Sequence, residues 1–269
     1  MMISSQKQNL IRELVLKNLK IRYFSSALGF AWAFLSPFFT VAIFYAVFSL
    51  ILKIQIKEAP FFLYLMSGVF PWSFFQDSLM SAATSLVDNR NLIKESNFPQ
   101  YLLPVSIVLA NAIIFLPALF ILLIAALFIF KGLPVFAVFL PLVLAIHIAI
   151  TMGLSIIISI LYAKCRDIKY ILEVVLLLFF YSTPVFYSIY LVKSSFSPLL
   201  FKIYIYNPLV GIANLYRAAL FKGFYNSVEK DAGFLPIVIV PILFTIAILA
   251  LGLFLYRKNK TTINDRLAY

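Results

Sequence analysis

Few side chains in this sequence could carry chemistry, and their spacing argues against catalysis. The chain has one histidine and one cysteine among 269 residues. His147 lies inside an apolar run with no acidic partner at helical spacing, so packing at a helix interface is expected of it rather than proton relay. Cys165 sits in a short polar segment without a second thiol, which excludes an intrachain disulfide. No His/Cys/Asp/Glu cluster has metal-ligand spacing. The motif G-x-x-x-x-G-K-[ST], whose backbone amides and lysine would cradle ATP phosphates, is absent. Asp77 and Glu173 sit within or at the edge of apolar runs. A charge at that depth costs about 2.5–3.5 kcal/mol, so each must face protein or water. Beside Asp77, Ser78 and Ala82, and Ser81 and Ser85, place small residues four apart, as close helix packing or a wet face requires. Two acids are too few for a coupled-ion path.

Aromatic residues are the positive signal, at 17% of the chain. Phe30, Phe34, Phe38, Tyr45 and Phe48 fall within about 40° of one direction at ~100° per residue. Such a stripe either packs on lipid or a neighbouring helix, or walls a conduit along which sugar rings slide without strong bonds. Glu173, Phe180 and Tyr187 share one face of a later run, provided Pro184 leaves its register intact.

The elements that must position these residues follow from hydropathy. The chain is 64% hydrophobic and 12% charged, with mean hydropathy +1.03. A soluble domain carries about 25% charged residues. Apolar runs at 25–52, 59–87, 101–130, 135–163, 170–191 and 234–256 meet the ~20 residues a spanning helix needs. The expectation is an all-α membrane protein with six transmembrane helices in a single domain, 1–269. Residues 1–24 are too polar to span. They place Leu10, Leu14, Leu16 and Leu19 among Arg12, Lys17, Lys20 and Arg22, predicting an amphipathic interface helix with a soluble tail as the alternative. The segment 192–233 is rich in Leu, Ile and Tyr but broken by Pro198 and by Asn207-Pro208, which predicts two short re-entrant helices on the outer side. Pro184, inside the fifth run, is expected either to kink it or to be tolerated in a straight helix.

Orientation follows from the basic residues. With both termini in the cytoplasm, segments 1–26, 88–100, 163–170 and 257–269 carry 14 of the 22 Lys and Arg. The net charge of +12 is spread over these short segments, so it matches anionic headgroups and not a nucleic-acid groove.

Several segments together resemble the ABC-2 type permeases that export polysaccharides. They are "LKIRYFSSALGFAWAFLSPF" (Leu19 to Phe38), "GVFPWSFFQDSL" (Gly68 to Leu79), "NLIKESNFP", "CRDIKYILEV", "YSTPVFYS" and "YNPLVGIANLYRAAL" (Tyr206 to Leu220), in family order over essentially the whole chain. The resemblance implies a bacterial inner-membrane half-transporter. Two permease copies form a homodimer, and two copies of a separate ABC ATPase bind ATP and Mg, leaving this chain without a cofactor. The loop 88–100 becomes an ATPase-coupling surface, with Asp88, Arg90, Asn91, Lys94 and Glu95 as its contact residues. The helices of 192–233 become an outer gate, with Tyr206, Asn207, Pro208, Tyr216 and Arg217 at the matching positions. Spans one and five would line the polymer path through Phe30, Phe34, Phe38, Tyr45, Phe48, Phe180 and Tyr187. The cargo implied is a lipid-linked polysaccharide, O-antigen first. Capsular polysaccharide, teichoic acid, or a drug or lipid remain alternative cargoes. A membrane-embedded glycan transferase would need convergent carboxylates or basic residues, and Asp77, Asp167 and Glu173 do not obviously converge. A structural scaffold leaves the loop 88–100 and the outer helices without a role.

Overall fold

A computed structural model describes residues 2–23, 31–54, 56, 58–94 and 98–268, with side chains left out at 2–6, 22–23, 33–34, 94 and 260–268. All regular elements among the described residues are helical. Helix α1 covers Met2–Tyr23. Helix α2 (Trp32–Phe44) continues without a break into a wider π-type stretch, Tyr45–Ile51. Helix α3 (Phe61–Asp88) is followed at once by the short α4 (Arg90–Lys94). Next come α5 (Leu102–Ile129), α6 (Leu140–Lys164) and α7 (Ile168–Ser182). Four short helices follow: α8 (Ile189–Ser195), α9 (Pro198–Ile205), α10 (Pro208–Leu220) and α11 (Phe224–Ala232). Helix α12 (Val240–Ala268) ends the chain, entered through a π-type turn, Leu235–Ile239.

Among the described residues, three helices are both long and apolar enough to cross a membrane: Leu102–Ile129, Val135–Lys164 and Leu235–Asn259. They match the third, fourth and sixth expected runs. Helix α3 has the length, about 42 Å at 1.5 Å per residue, but is more polar. Its polarity has a structural reason: it is the hub, packed against α2, α5, α6, α7 and α10. From Leu63 to Trp72 it is buried on every side. The fifth expected run, 170–191, is not one helix. Thr183 turns to an extended conformation, which ends α7, and Pro184 cannot resume the hydrogen-bond ladder. Helix α7 alone spans about 22 Å, short of a ~30 Å hydrocarbon core.

The close contact between α6 and α12 depends on two glycines. A Cβ on Gly252 would sit 2.9 Å from the Gly153 carbonyl oxygen, and one on Gly153 would sit 2.7 Å from Ile248 Cγ2. Without a hydrophobic driving force in lipid, such backbone approach is what holds helices together. The α5–α6 connection is tight because Lys131 and Gly132 both take positive φ, 51° and 128°, which reverses the chain before Pro134.

Helix α1 is not an isolated surface helix. Leu10, Ile11, Leu14 and Val15 turn towards the bundle, while Leu16 stays exposed. Lys17 Nζ donates to Asn89 Oδ1 (2.8 Å) and Asn18 Nδ2 to Ser106 Oγ (3.0 Å), tying α1 to the α3–α4 corner and to α5.

Candidate functional site

The 88–100 region is built from one residue outward. Asn89 caps α3, its Nδ2 donating to the Ser85 carbonyl (2.9 Å), while its own carbonyl accepts the amides of Leu92 and Ile93. One asparagine thus ends α3 and starts α4. Ile93 is 5% exposed and anchors α4 in a cluster with Leu14, Leu86, Leu102, Ile156 and Ile160. With that face buried, Asp88, Arg90 and Asn91 are exposed together at the corner. Lys94 ends α4 and its side chain lies outside the described residues, as does Glu95 altogether.

At the C-terminal end of α2, the aromatic residues gather into a wall. Phe48 stacks on Phe186 (ring centroids 5.1 Å), Phe44 stacks on Phe180 (5.9 Å), and Trp72 meets Phe180 edge-on (5.5 Å). Phe186 and Tyr187 meet at 5.2 Å. The wall therefore joins α2, α3, α7 and the break after α7. Tyr45 leans on Phe61 and Phe62, and Phe38 touches Phe62 while staying 45% exposed. Phe30 and the side chain of Phe34 lie outside the described residues. Periodicity missed Phe44, Trp72 and Phe186. Phe44 was legible as the i−4 neighbour of Phe48, whereas Trp72 and Phe186 arrive only through folding.

Gln76 and Asp77 are both exposed near the middle of α3, and Glu173 is exposed near the start of α7. Asp77 lies about 16 Å from the α4 end of its helix, deep in hydrocarbon if α3 crosses the membrane. A carboxylate at that depth is costly against lipid.

The residues Tyr206, Asn207, Pro208, Tyr216 and Arg217 divide into two groups. Asn207 Oδ1 accepts the Leu209 amide (3.0 Å), Pro208 occupies the first helical position, and Tyr206 is 44% exposed, so these three build the α9–α10 corner. Tyr216 and Arg217 are fully buried. The Tyr216 hydroxyl lies 3.2 Å from His147 Nδ1, and the His147 ring packs on Phe74 and Phe75. His147 is thus an interior packing residue that links α6 to α10. A cavity of about 560 Å³ lies below the α9–α10 corner, walled by Leu79, Leu154, Val175, Phe179, Tyr204 and Pro208. The free thiol of Cys165 is exposed. Among the described residues no group of three or more His, Cys, Asp or Glu could hold a metal ion.

Residues 9–221 match the ABC-2 type transporter family. The O-antigen export system permease protein RfbA of Klebsiella pneumoniae is 31% identical over 212 residues, covering 78% of this chain and 79% of that one. The protein of the same name from Myxococcus xanthus is 29% identical over 217 residues, covering 81% and 82%.

Proposed function

Since the chain belongs to the ABC-2 type transporter family, we propose that it is the permease subunit of an O-antigen exporter, moving lipid-linked polysaccharide out through the bacterial inner membrane. The observation that carries this reading is the similarity over about four-fifths of both chains to permeases named for that task. Six spans are proposed, with α2 and α3 as the first two and α7 with its break as the fifth. Both termini then lie in the cytoplasm. In this reading the outer position, for which two helices were expected, is assigned to the four short helices α8 to α11.

The mechanism assigns energy and path to different chains. A separate ABC ATPase binds ATP and Mg, and it docks on the corner formed by Asp88, Arg90, Asn91, Lys94 and Glu95. ATP can shift the permease only if the ATPase binds its two arrangements with different free energy. Ile93 and Asn89 tie the corner to α3 and, through Lys17, to α1, which is the route by which that difference would reach the bundle. A homodimer would bring two aromatic walls around one path. Phe38, Tyr45, Phe48, Phe180 and Tyr187, with Phe30 and Phe34, line it, and the exposed Gln76 and Asp77 find water there. The helices α9 and α10 close its outer mouth through Tyr206, Asn207 and Pro208, held by Tyr216 and Arg217.

The test is reconstitution of the chain with its ATPase in proteoliposomes holding lipid-linked glycan. ATP-dependent export that vanishes without the ATPase is the expected result. Charge reversal at Arg90 and Lys94 should release the ATPase while leaving the membrane domain folded. Export without any ATPase would falsify the half-transporter reading.

A further inference from the structure

A guanidinium buried among apolar helices is expensive, and Arg217 of α10 is fully buried. Its Nε donates to Ser67 Oγ on α3 (3.2 Å), and its Nη2 donates to the carbonyl of Val185 in the break after α7 (3.0 Å). The guanidinium carbon lies 3.6 Å from the centre of the Tyr64 ring, a cation–π contact with α3. The Tyr64 hydroxyl in turn donates to the Tyr187 carbonyl (2.9 Å), a second tie between α3 and the break. Gly68 is what allows the approach. A Cβ there would sit 2.6 Å from the Val185 carbonyl oxygen and 3.1 Å from Arg217 Nη2. Among the described residues Nη1 has no hydrogen-bond partner, so the charge is incompletely satisfied. An apolar residue of similar volume would be the more stable choice at such a place, and what the arginine supplies instead is geometry.

The partners of Arg217 belong to two parts of the proposed conduit. Ser67 and Tyr64 lie on the central helix, Val185 adjoins Phe186 and Tyr187 of the aromatic wall, and Arg217 itself sits about two and a half turns beyond the Asn207–Pro208 corner. We infer that Arg217 is a positioning residue for transport, pinning α10, the break after α7 and helix α3 into one body, so that the outer mouth and the aromatic wall move together with the central helix. The inference rests on the export reading for its consequence in transport, but the pin itself is a property of the chain and can be read without transport.

The experiment uses the chain with its ATPase in membranes, in a Cys165→Ser background that removes the exposed native thiol. Two quantities are measured: glycan exported per ATP hydrolysed, and the labelling rate of Val185→Cys by a membrane-impermeant maleimide from the outside. With Arg217 present the Val185 position is 1% exposed and should label slowly. Arg217→Met should raise the labelling rate at least tenfold. It should also cut glycan per ATP at least tenfold while the assembled complex keeps hydrolysing ATP, whereas a purely structural loss would lower complex and hydrolysis together. Arg217→Lys, which can reach one acceptor and not both, should restore part of the ratio. Unchanged labelling and unchanged glycan per ATP in Arg217→Met would overturn the pin. Should Arg217→Met not assemble, Ser67→Ala and Gly68→Ala take its place. The first removes one acceptor and the second wedges a methyl against the Val185 carbonyl. Both should lower glycan per ATP, and wild-type ratios in both would overturn the inference. If the Arg217 chain exports no glycan yet labelling still rises in Arg217→Met, the pin stands and the export reading falls.

Discussion

Two buried polar residues with similar composition and setting have different meanings here. His147 and Arg217 both lie in the interior and both touch the α10 region, but His147 meets a tyrosine hydroxyl and two phenylalanine rings, all satisfied by packing. A relay would need a continuous chain of titratable neighbours, and the ring meets Tyr216, Phe74 and Phe75, while the Thr151 hydroxyl bonds the His147 backbone carbonyl. His147→Asn is therefore expected to leave the pH profile of export unchanged between about pH 6 and 8, across the ordinary histidine range. A shifted profile in proteoliposomes would restore the relay. Asp77 is the converse case. A carboxylate exposed half-way along α3 is costly against lipid, so Asp77→Leu should insert as well as the parent yet export at least tenfold less. Equal export by the two chains, measured against equal membrane content, would place that face against lipid.

At the scale of elements, the bundle is held by backbone proximity at one place and by a corner at another. Gly252→Val at the α6–α12 contact has no flexible neighbour to displace, because the nearest atom is the Gly153 carbonyl oxygen. A loss of roughly 1–3 kcal/mol is expected, of the size seen for overpacked or strained interiors, read as a lower Tm in detergent. The corner of α3 and α4 behaves differently. Ile93→Asp should lower ATPase association without altering any of the exposed charges, because α4 loses its anchor in the cluster around Leu14 and Leu102. Co-purification of the ATPase at the parental level would mean that the contact is made by side chains of the loop alone. The elements also explain which expectations needed revision. Pro184 was legible as a disturbance, yet nothing local distinguishes a kink from a full break. The extended Thr183 and the Arg217 bond to the Val185 carbonyl decide for a break, and the Arg217 bond comes from a residue 32 positions away.

For the whole molecule, the aromatic stripe of α2 is the feature whose role depends on assembly. Part of it is used within one chain, where Phe48 and Tyr45 pack on Phe186 and on Phe61 and Phe62. Phe38 keeps nearly half its surface open. Replacing Phe34, Phe38 and Tyr45 together with Ala is expected to lower export more than dimer stability, compared by transport assay and by dimer dissociation in detergent. Equal losses would assign the stripe to packing.

By itself the sequence determined the class of molecule and most of its helices. Long uncharged runs leave lipid as the only solvent they fit, and in lipid the backbone must satisfy its own hydrogen bonds, so helices follow. It determined the 88–100 corner as a polar interruption between two apolar runs. Only the tertiary structure decided what the buried polar residues do. Periodicity reports which face of a helix a residue occupies but not which distant carbonyl or ring it meets. Arg217 read as one gate residue among five, and its meeting with Ser67, Tyr64 and Val185 depends on α10 folding back against α3 across 150 residues of chain. The same holds for Trp72 and Phe186, whose partners Phe180 and Phe48 lie on other helices far from them in sequence.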